Sequence, residues 1–171
     1  MAGSFLFKRQ QQYLSSKIIL KHLLIFTMNN FKKNIEVRWS DLDPNFHVIH
    51  SKYYDFGAYC RMAFLIENGL SPAIMLEHKI GPILFREECV FKKEILFGDK
   101  VTVNVKVDKV TADFGRWTMI HEIYKNDETL AAIITADGAW LNTAIRKLTV
   151  PPAVIISLFE SAPKTASFKI S

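Results

Sequence analysis

Apolar and polar positions along the chain change period several times, and the changes mark out elements. Residues 33 to 39 alternate, with Ile35, Val37 and Trp39 on one side and Glu36 and Arg38 on the other. That is the period of a half-buried strand. Pro44 and Asn45 then punctuate a loop over residues 40 to 50. Residues 51 to 68 follow helical spacing, with Tyr53, Phe56, Gly57, Cys60, Ala63 and Phe64 on one broad face. Most of the circumference is apolar, which predicts a buried helix. Gly69 stands where a helix C-terminal cap belongs. Ser71-Pro72 opens a short turn or helix to about residue 78.

Strand patterns fill the rest. Residues 82 to 96 form a long mixed strand, and Phe97-Gly98-Asp99 a turn. In residues 100 to 110, Val101, Val103, Val105 and Val107 alternate with Thr102, Asn104 and Lys106. Two further strands cover residues 116 to 124 and 129 to 141, joined by a hairpin turn at 125 to 128. Pro151-Pro152 ends the sheet region, residues 153 to 160 read as a short helix, and the tail from 164 to 171 reads as frayed. One strand, one long buried helix and four antiparallel strands make an α+β domain over residues 31 to 163. A single sheet with one helix leaves an edge uncovered, which predicts a homodimer or homotetramer.

Composition agrees with one globular domain: 171 residues, 49% apolar and 23% charged. The net charge of +5 suggests nucleic acid or a membrane surface, but its distribution argues otherwise. Lys8, Arg9, Lys17, Lys21, Lys32 and Lys33 stand among residues 1 to 34 without a single acid. The other 16 of the 22 basic residues face 17 acidic ones. The body is near neutral and lacks the basic face that a nucleic-acid binder needs. Residues 18 to 27 are apolar, but Lys21 and His22 interrupt them, and the run is too short to span a membrane. No small-x-small cleavage site follows, and Met28 is an alternative start. Residues 1 to 30 are therefore expected to be a weakly structured extension, without integral membrane association. Cys60 and Cys89 lie in no CxxC pair, and as two lone thiols they predict core positions and a reducing, cytoplasmic setting.

The loop before the long helix holds the candidate chemistry. It reads Arg38-Trp39-Ser40-Asp41-Leu42-Asp43-Pro44-Asn45-Phe46-His47-Val48-Ile49-His50-Ser51-Lys52-Tyr53. This segment resembles the 4-hydroxybenzoyl-CoA thioesterase family of hotdog proteins. The family pattern is a strand, Asp-x-Asp, a glycine-containing turn, His-Val-Asn-Asn or Val-Val-Tyr-His, and a Tyr early in the helix. Asp41-x-Asp43, His47-Val48, His50 and Tyr53 fall in register, and Phe97-Gly98-Asp99 and Gly115-Arg116 match downstream. The resemblance covers about residues 33 to 152. It implies a hotdog fold, an antiparallel sheet wrapped around one long helix. It also implies hydrolysis of an acyl-CoA or acyl-carrier-protein thioester.

Residue by residue, the resemblance makes Asp43 the catalytic carboxylate, nucleophile or general base, and Asp41 a brace for the loop. His50 matches one family subgroup as a second catalytic group, and His47 matches another. Phe46 stands where the family commonly has glycine, which bears on pocket shape and substrate size. Tyr53 is a helix-packing residue or part of the acyl pocket.

The residues make chemical sense on their own terms. Thioester hydrolysis needs a carboxylate to attack or to activate water, and donors for the oxyanion. Backbone N–H groups of Ile49, His50 and Ser51, at the predicted helix start, are candidate donors. An Asp shortly before a helix is also a common cap or turn residue, so a purely structural Asp43 is the competing reading. Lys92, Lys93 and Arg116 are candidates for the CoA phosphates. No metal-ligand cluster, Gly-rich phosphate loop or Ser-His-Asp order appears, so no metal or organic cofactor is implied and CoA belongs to the substrate. The alternatives are a non-catalytic acyl-CoA-binding or regulatory hotdog protein and, from the same fold, a dehydratase or hydratase.

Overall fold

The computed structural model describes residues 31–126 and 128–171; the expected extension over 1 to 30 lies outside them. Strand β1 (Lys32–Ile35) is shorter than the alternation predicts. The Asp41 carboxylate captures the Arg38 N–H at 2.9 Å, and the Asp41 N–H donates to the Arg38 carbonyl at 3.0 Å. That reciprocal pair winds residues 39–41 into a 3-10 turn. Val37 stays in the core, but Trp39 is thrown outward and is 66% exposed.

Helix α1 (His50–Glu67) follows and buries Tyr53, Phe56, Gly57, Cys60, Arg61, Phe64 and Leu65. It ends as expected at Gly69, whose φ of +99° suits a residue without Cβ. The Leu70 N–H then closes back on the Leu65 carbonyl at 2.9 Å, and the Leu70 side chain enters the core. Helix α2 (Pro72–Glu77) begins at Ser71, whose hydroxyl accepts the Ile74 N–H.

The sheet contains β2 (Ile80–Phe91), β3 (Val101–Asn104), β4 (Lys106–Val110), β5 (Arg116–Lys125), β6 (Thr129–Asn142), β7 (Lys147–Leu148) and β8 (Lys164–Ile170). Helix α3 (Ala153–Ser161) lies between β7 and β8. Across the sheet the order is β2, β6, β5, then β3 and β4 end to end against β5. Strand β1 adds to β3, β8 adds to β4, and β7 closes on the end of β6. Val101, Val103, Val105 and Val107 all point inward as their alternation predicts. Helix α1 packs on the concave face through Cys60, Phe64, Val103, Met119, Ile123 and Ile134. This is the α+β hotdog arrangement.

Two expectations are corrected. The tail from residue 164 is not frayed but forms β8, parallel to β4. Ser167 donates to the Asp108 carboxylate at 2.7 Å, as does Thr165, and the Ser171 N–H donates to the Val110 carbonyl at 2.9 Å. Lys164 anchors the start of the strand by donating to the carbonyls of Phe159, Glu160 and Ala162 at the end of α3. The long strand expected to reach residue 96 stops at Phe91. The N–H groups of Lys92 and Lys93 both converge on the Ala131 carbonyl, at 2.8 and 3.0 Å, and that kink turns the chain off the sheet. The segment that leaves the sheet then meets the loop before α1.

Candidate active site

The loop from Asp41 to Ile49 is held closed by its own backbone. The Asp41 carbonyl accepts the Ile49 N–H at 2.8 Å, and Leu42 bridges Val48. Inside this outer ring, the Asp43 N–H donates to the His47 carbonyl at 2.8 Å, and the Asp43 carbonyl accepts the Phe46 N–H at 2.9 Å. The Val48 N–H donates to the Ile95 carbonyl at 2.8 Å, and His47 bridges Leu96. The kinked chain after β2 is therefore stitched to the loop. Lys52, in the first turn of α1, comes within 3.6 Å of the Asp41 carboxylate, and Asp41 is nearly buried. Asp41 thus braces the loop, the role that its place in the motif implies.

Asp43 has a divided carboxylate. Its Oδ1 accepts the N–H groups of Asn45 at 2.8 Å and His47 at 3.1 Å, an Asx turn that fixes the side chain. Its Oδ2 makes no hydrogen bond among the described residues. Phe46, two residues beyond Pro44, has φ of +64°, a left-handed conformation that favours glycine. Its ring lies 5.9 Å from that of Trp39, which in turn lies 6.0 Å from Phe97. The three rings form an exposed aromatic wall beside the turn.

Asp43, His47, Val48, His50, Tyr53, Phe91, Lys92, Lys93 and Glu94 line one cleft of about 370 Å³. The structure thus gathers most of the sequence-predicted residues in one place. Tyr53 forms the floor; its ring meets Phe91 edge to face at 5.0 Å, and burial pushes its phenol above the ordinary range. His47 Nε2 lies 3.5 Å from the Glu94 carboxylate. Glu94 and Phe91 were not expected here, because the strand pattern gives no hint that the chain kinks after Phe91.

Two expectations about site residues change. Ile49 is not a free oxyanion donor, since its N–H already donates to Asp41. Among the described residues the N–H groups of His50 and Ser51 carry no acceptor, so the donor set narrows to those two. Arg116 does not reach this cleft within the chain. It lines a separate cleft of about 540 Å³ with Thr111, Asp113, Gly115 and Thr149, and its guanidinium stacks on Phe85 at 5.1 Å. His121, on β5, stands apart from the cleft. It is fully buried, accepts from Arg61 Nη1 at 2.9 Å through Nε2, and donates from Nδ1 to the Asn104 carbonyl at 3.0 Å. Burial, with the Arg61 charge beside it, pushes the imidazole down to about 3.

Cys60 is a buried core thiol, as expected, while Cys89 is only half-buried against the core. Burial raises Cys60 to about 12 and Cys89 to about 11. Among the described residues no three His, Cys, Asp or Glu side chains gather as a metal site, and no helix is long and apolar enough to cross a membrane.

Residues 37–159 match the family model described as the thioesterase-like superfamily. No curated protein matches the chain. Among solved structures, a hypothetical protein from Staphylococcus aureus in complex with CoA superposes with a TM-score of 0.70 at 20% identity, covering 80% of this chain and 88% of that one. The 1,4-dihydroxy-2-naphthoyl-CoA thioesterase of Synechocystis gives 0.68 at 17% identity, covering 76% and 95%. A thioesterase complexed with coenzyme A and Zn, from Thermus thermophilus, gives 0.65 at 23% identity, covering 76% and 91%. At these identities the likeness establishes the hotdog fold.

Proposed function

Because the chain belongs to the thioesterase-like superfamily, we propose that it hydrolyses an acyl-CoA thioester, with Asp43 as its catalytic carboxylate. The supporting observation is the shared cleft. The fixed Asp43 side chain with its unengaged Oδ2, the start of α1, and the Lys92-Lys93 pair all open onto it.

In this reading the substrate carbonyl points at the His50 and Ser51 N–H groups, where the helix dipole adds positive potential. Asp43 Oδ2 either attacks the carbonyl carbon or takes a proton from the attacking water. The oxygen becomes an oxyanion held by the two N–H groups. The C–S bond then breaks and CoA leaves as a thiolate; where Asp43 attacked, water hydrolyses the resulting mixed anhydride, and where it acted as base, the free acid leaves directly and the proton on Asp43 passes to the thiolate. Lys92 and Lys93 pair with the phosphates at the mouth. His50, on the cleft wall, contacts the reacting group, and His47 is held by Glu94 as part of the wall.

Strand β2 supports assembly as a homodimer, or as a homotetramer built from dimers. It is twelve residues long, pairs on one side with β6, and exposes Leu84, Phe85, Val90 and Phe91. Such an edge invites a second strand. Antiparallel pairing of two copies about a two-fold axis sets the Phe91 end of one beside the Ile80 half of its partner. Arg116, stacked on Phe85 in that half, then approaches the other protomer's Lys92-Lys93 mouth. In this assembly Arg116 is a phosphate contact across the interface.

The deciding assay is free-thiol release from short, long and aromatic acyl-CoAs by wild type and Asp43→Asn. Turnover by wild type and a loss of about a hundredfold or more in the variant is expected of an essential acid–base group. Tight acyl-CoA binding without turnover by folded wild type would instead make this a binding protein, with Asp43 a turn residue.

A further inference from the structure

Three pairs of residues line the seam between α1 and the free edge of the sheet. Tyr53, Gly57 and Arg61 recur at four-residue spacing and so share one stripe of α1. Phe91, Cys89 and Glu87 alternate along β2 and pair with Ala132, Ile134 and Ala136, all fully buried, so they face that stripe. An acyl chain entering the domain from the Asp43 cleft would run along this seam.

The seam is closed at each level. At the mouth, Tyr53 and Phe91 meet edge to face, with an interplanar angle of 87°. In the middle, a Cβ on Gly57 would lie 3.0 Å from Ile134 Cδ1 on β6 and 3.3 Å from His121 Cδ2 on β5, so the helix rests directly on the strands inward of Cys89. At the far end, Arg61 Nη1 and Nη2 both donate to Glu87 Oε1 at 3.3 Å, and Nη1 also donates to His121. The Arg61 side chain is 7% exposed and that of Glu87 19%. A chain forced past Cys89 would separate this ion pair and strand a buried charge, a penalty that burial of methylenes does not offset.

We propose, resting on the thioesterase reading, that the protein selects compact acyl groups, short or single-ring, seated in the Asp43 cleft against the closed Tyr53–Phe91 pair. The Gly57 contact and the Arg61–Glu87 pair are the stop that excludes longer straight chains.

Non-hydrolysable S-alkyl-CoA thioethers, from ethyl to dodecyl and including benzyl, test this by calorimetric titration into the full chain. Affinity should level off by about butyl, and benzyl should bind at least as well. A chain buried along the seam would instead gain about fourfold per added methylene, and such a rise through dodecyl would overturn the proposal. In an Arg61→Met/Glu87→Met variant, decyl should gain about tenfold over wild type while butyl holds constant. An unchanged plateau in that variant, with a native far-UV spectrum, would show that the ion pair is not the stop. Failure of the thioesterase reading has a different signature: thioethers bind with the same plateau but the free-thiol assay shows no turnover of any acyl-CoA, whereas binding of neither CoA nor any thioether removes the premise and the proposal with it.

Discussion

Replacing Phe46 separates backbone strain from side-chain packing at the turn that fixes Asp43. Phe46 has φ of +64° and is 60% exposed, with its ring against Trp39. A left-handed conformation costs a residue with Cβ about 1–2 kcal/mol. The tilted ring pair returns about 0.5–1.5 kcal/mol, with the lower end appropriate to an exposed contact. Phe46→Gly therefore releases the strain, loses the ring contact and adds about 0.5–1 kcal/mol of unfolded-state entropy. These effects nearly cancel, so its stability should stay within about 1 kcal/mol of wild type. Phe46→Ala loses the same ring but keeps Cβ and hence the strain. It should fall below Phe46→Gly by about 1 kcal/mol, the difference expected between Gly and Ala where φ is positive. Urea denaturation at matched m-values reads both variants. If Phe46→Ala proves as stable as Phe46→Gly, the backbone there is not strained, and the account of the Asp43 turn is wrong.

Two other variants probe parts of the fold that hold the site. His121 is neutral in the folded protein and is pushed down to about 3, against an ordinary value of 6.5. Below pH 6.5 the unfolded chain takes up a proton that the folded chain refuses, so stability should fall as pH drops, by up to about 1.4 kcal/mol per unit. The interval from 6.5 to 4.5 isolates this effect, because the depressed carboxylates of Asp99, Asp108 and Glu122 lose their contribution only below their ordinary values of 3.8 and 4.5. His121→Gln should flatten urea midpoints across that interval, and a slope that persists would mean that another group carries it. Gly138→Ala would place a Cβ 2.4 Å from the Trp117 ring and 2.5 Å from the Ile83 carbonyl oxygen. The backbone contact cannot yield by rotamer change, so a loss of about 1–3 kcal/mol is expected, read as a lowered thermal midpoint; an unchanged midpoint would refute the crowding.

The long apolar helix, the valine alternation and the Asp43 loop were legible because each is a local pattern. Helical period, strand period and motif register all sit within a single stretch of chain. What was not legible depends on partners distant in sequence. Trp39 reads as a buried strand residue until Asp41 takes the Arg38 N–H and turns the chain. The tail reads as frayed until Asp108, 57 residues before Thr165, gathers its hydroxyls. Ile49 looks like a free donor at a helix start, and only the closed loop shows that Asp41 has claimed it.

Arg61 is the instructive case. On a helix apolar over most of its circumference, Arg61 fits no pattern that marks its place, and it is 6% exposed. Its buried charge survives only because Glu87, on the edge strand, and His121, two strands further in, supply acceptors that no spacing rule relates to residue 61. The same dependence makes the group informative about function. A buried pair is retained at a net desolvation cost, and here it stands at the end of the seam that begins at Asp43. Apolar side chains at positions 61 and 87 would fill that space without the cost, and would remove the charged barrier at the far end of the seam. The charges thus stand as the barrier at the end of the pocket, and the thioether series measures whether they limit the length of chain that binds.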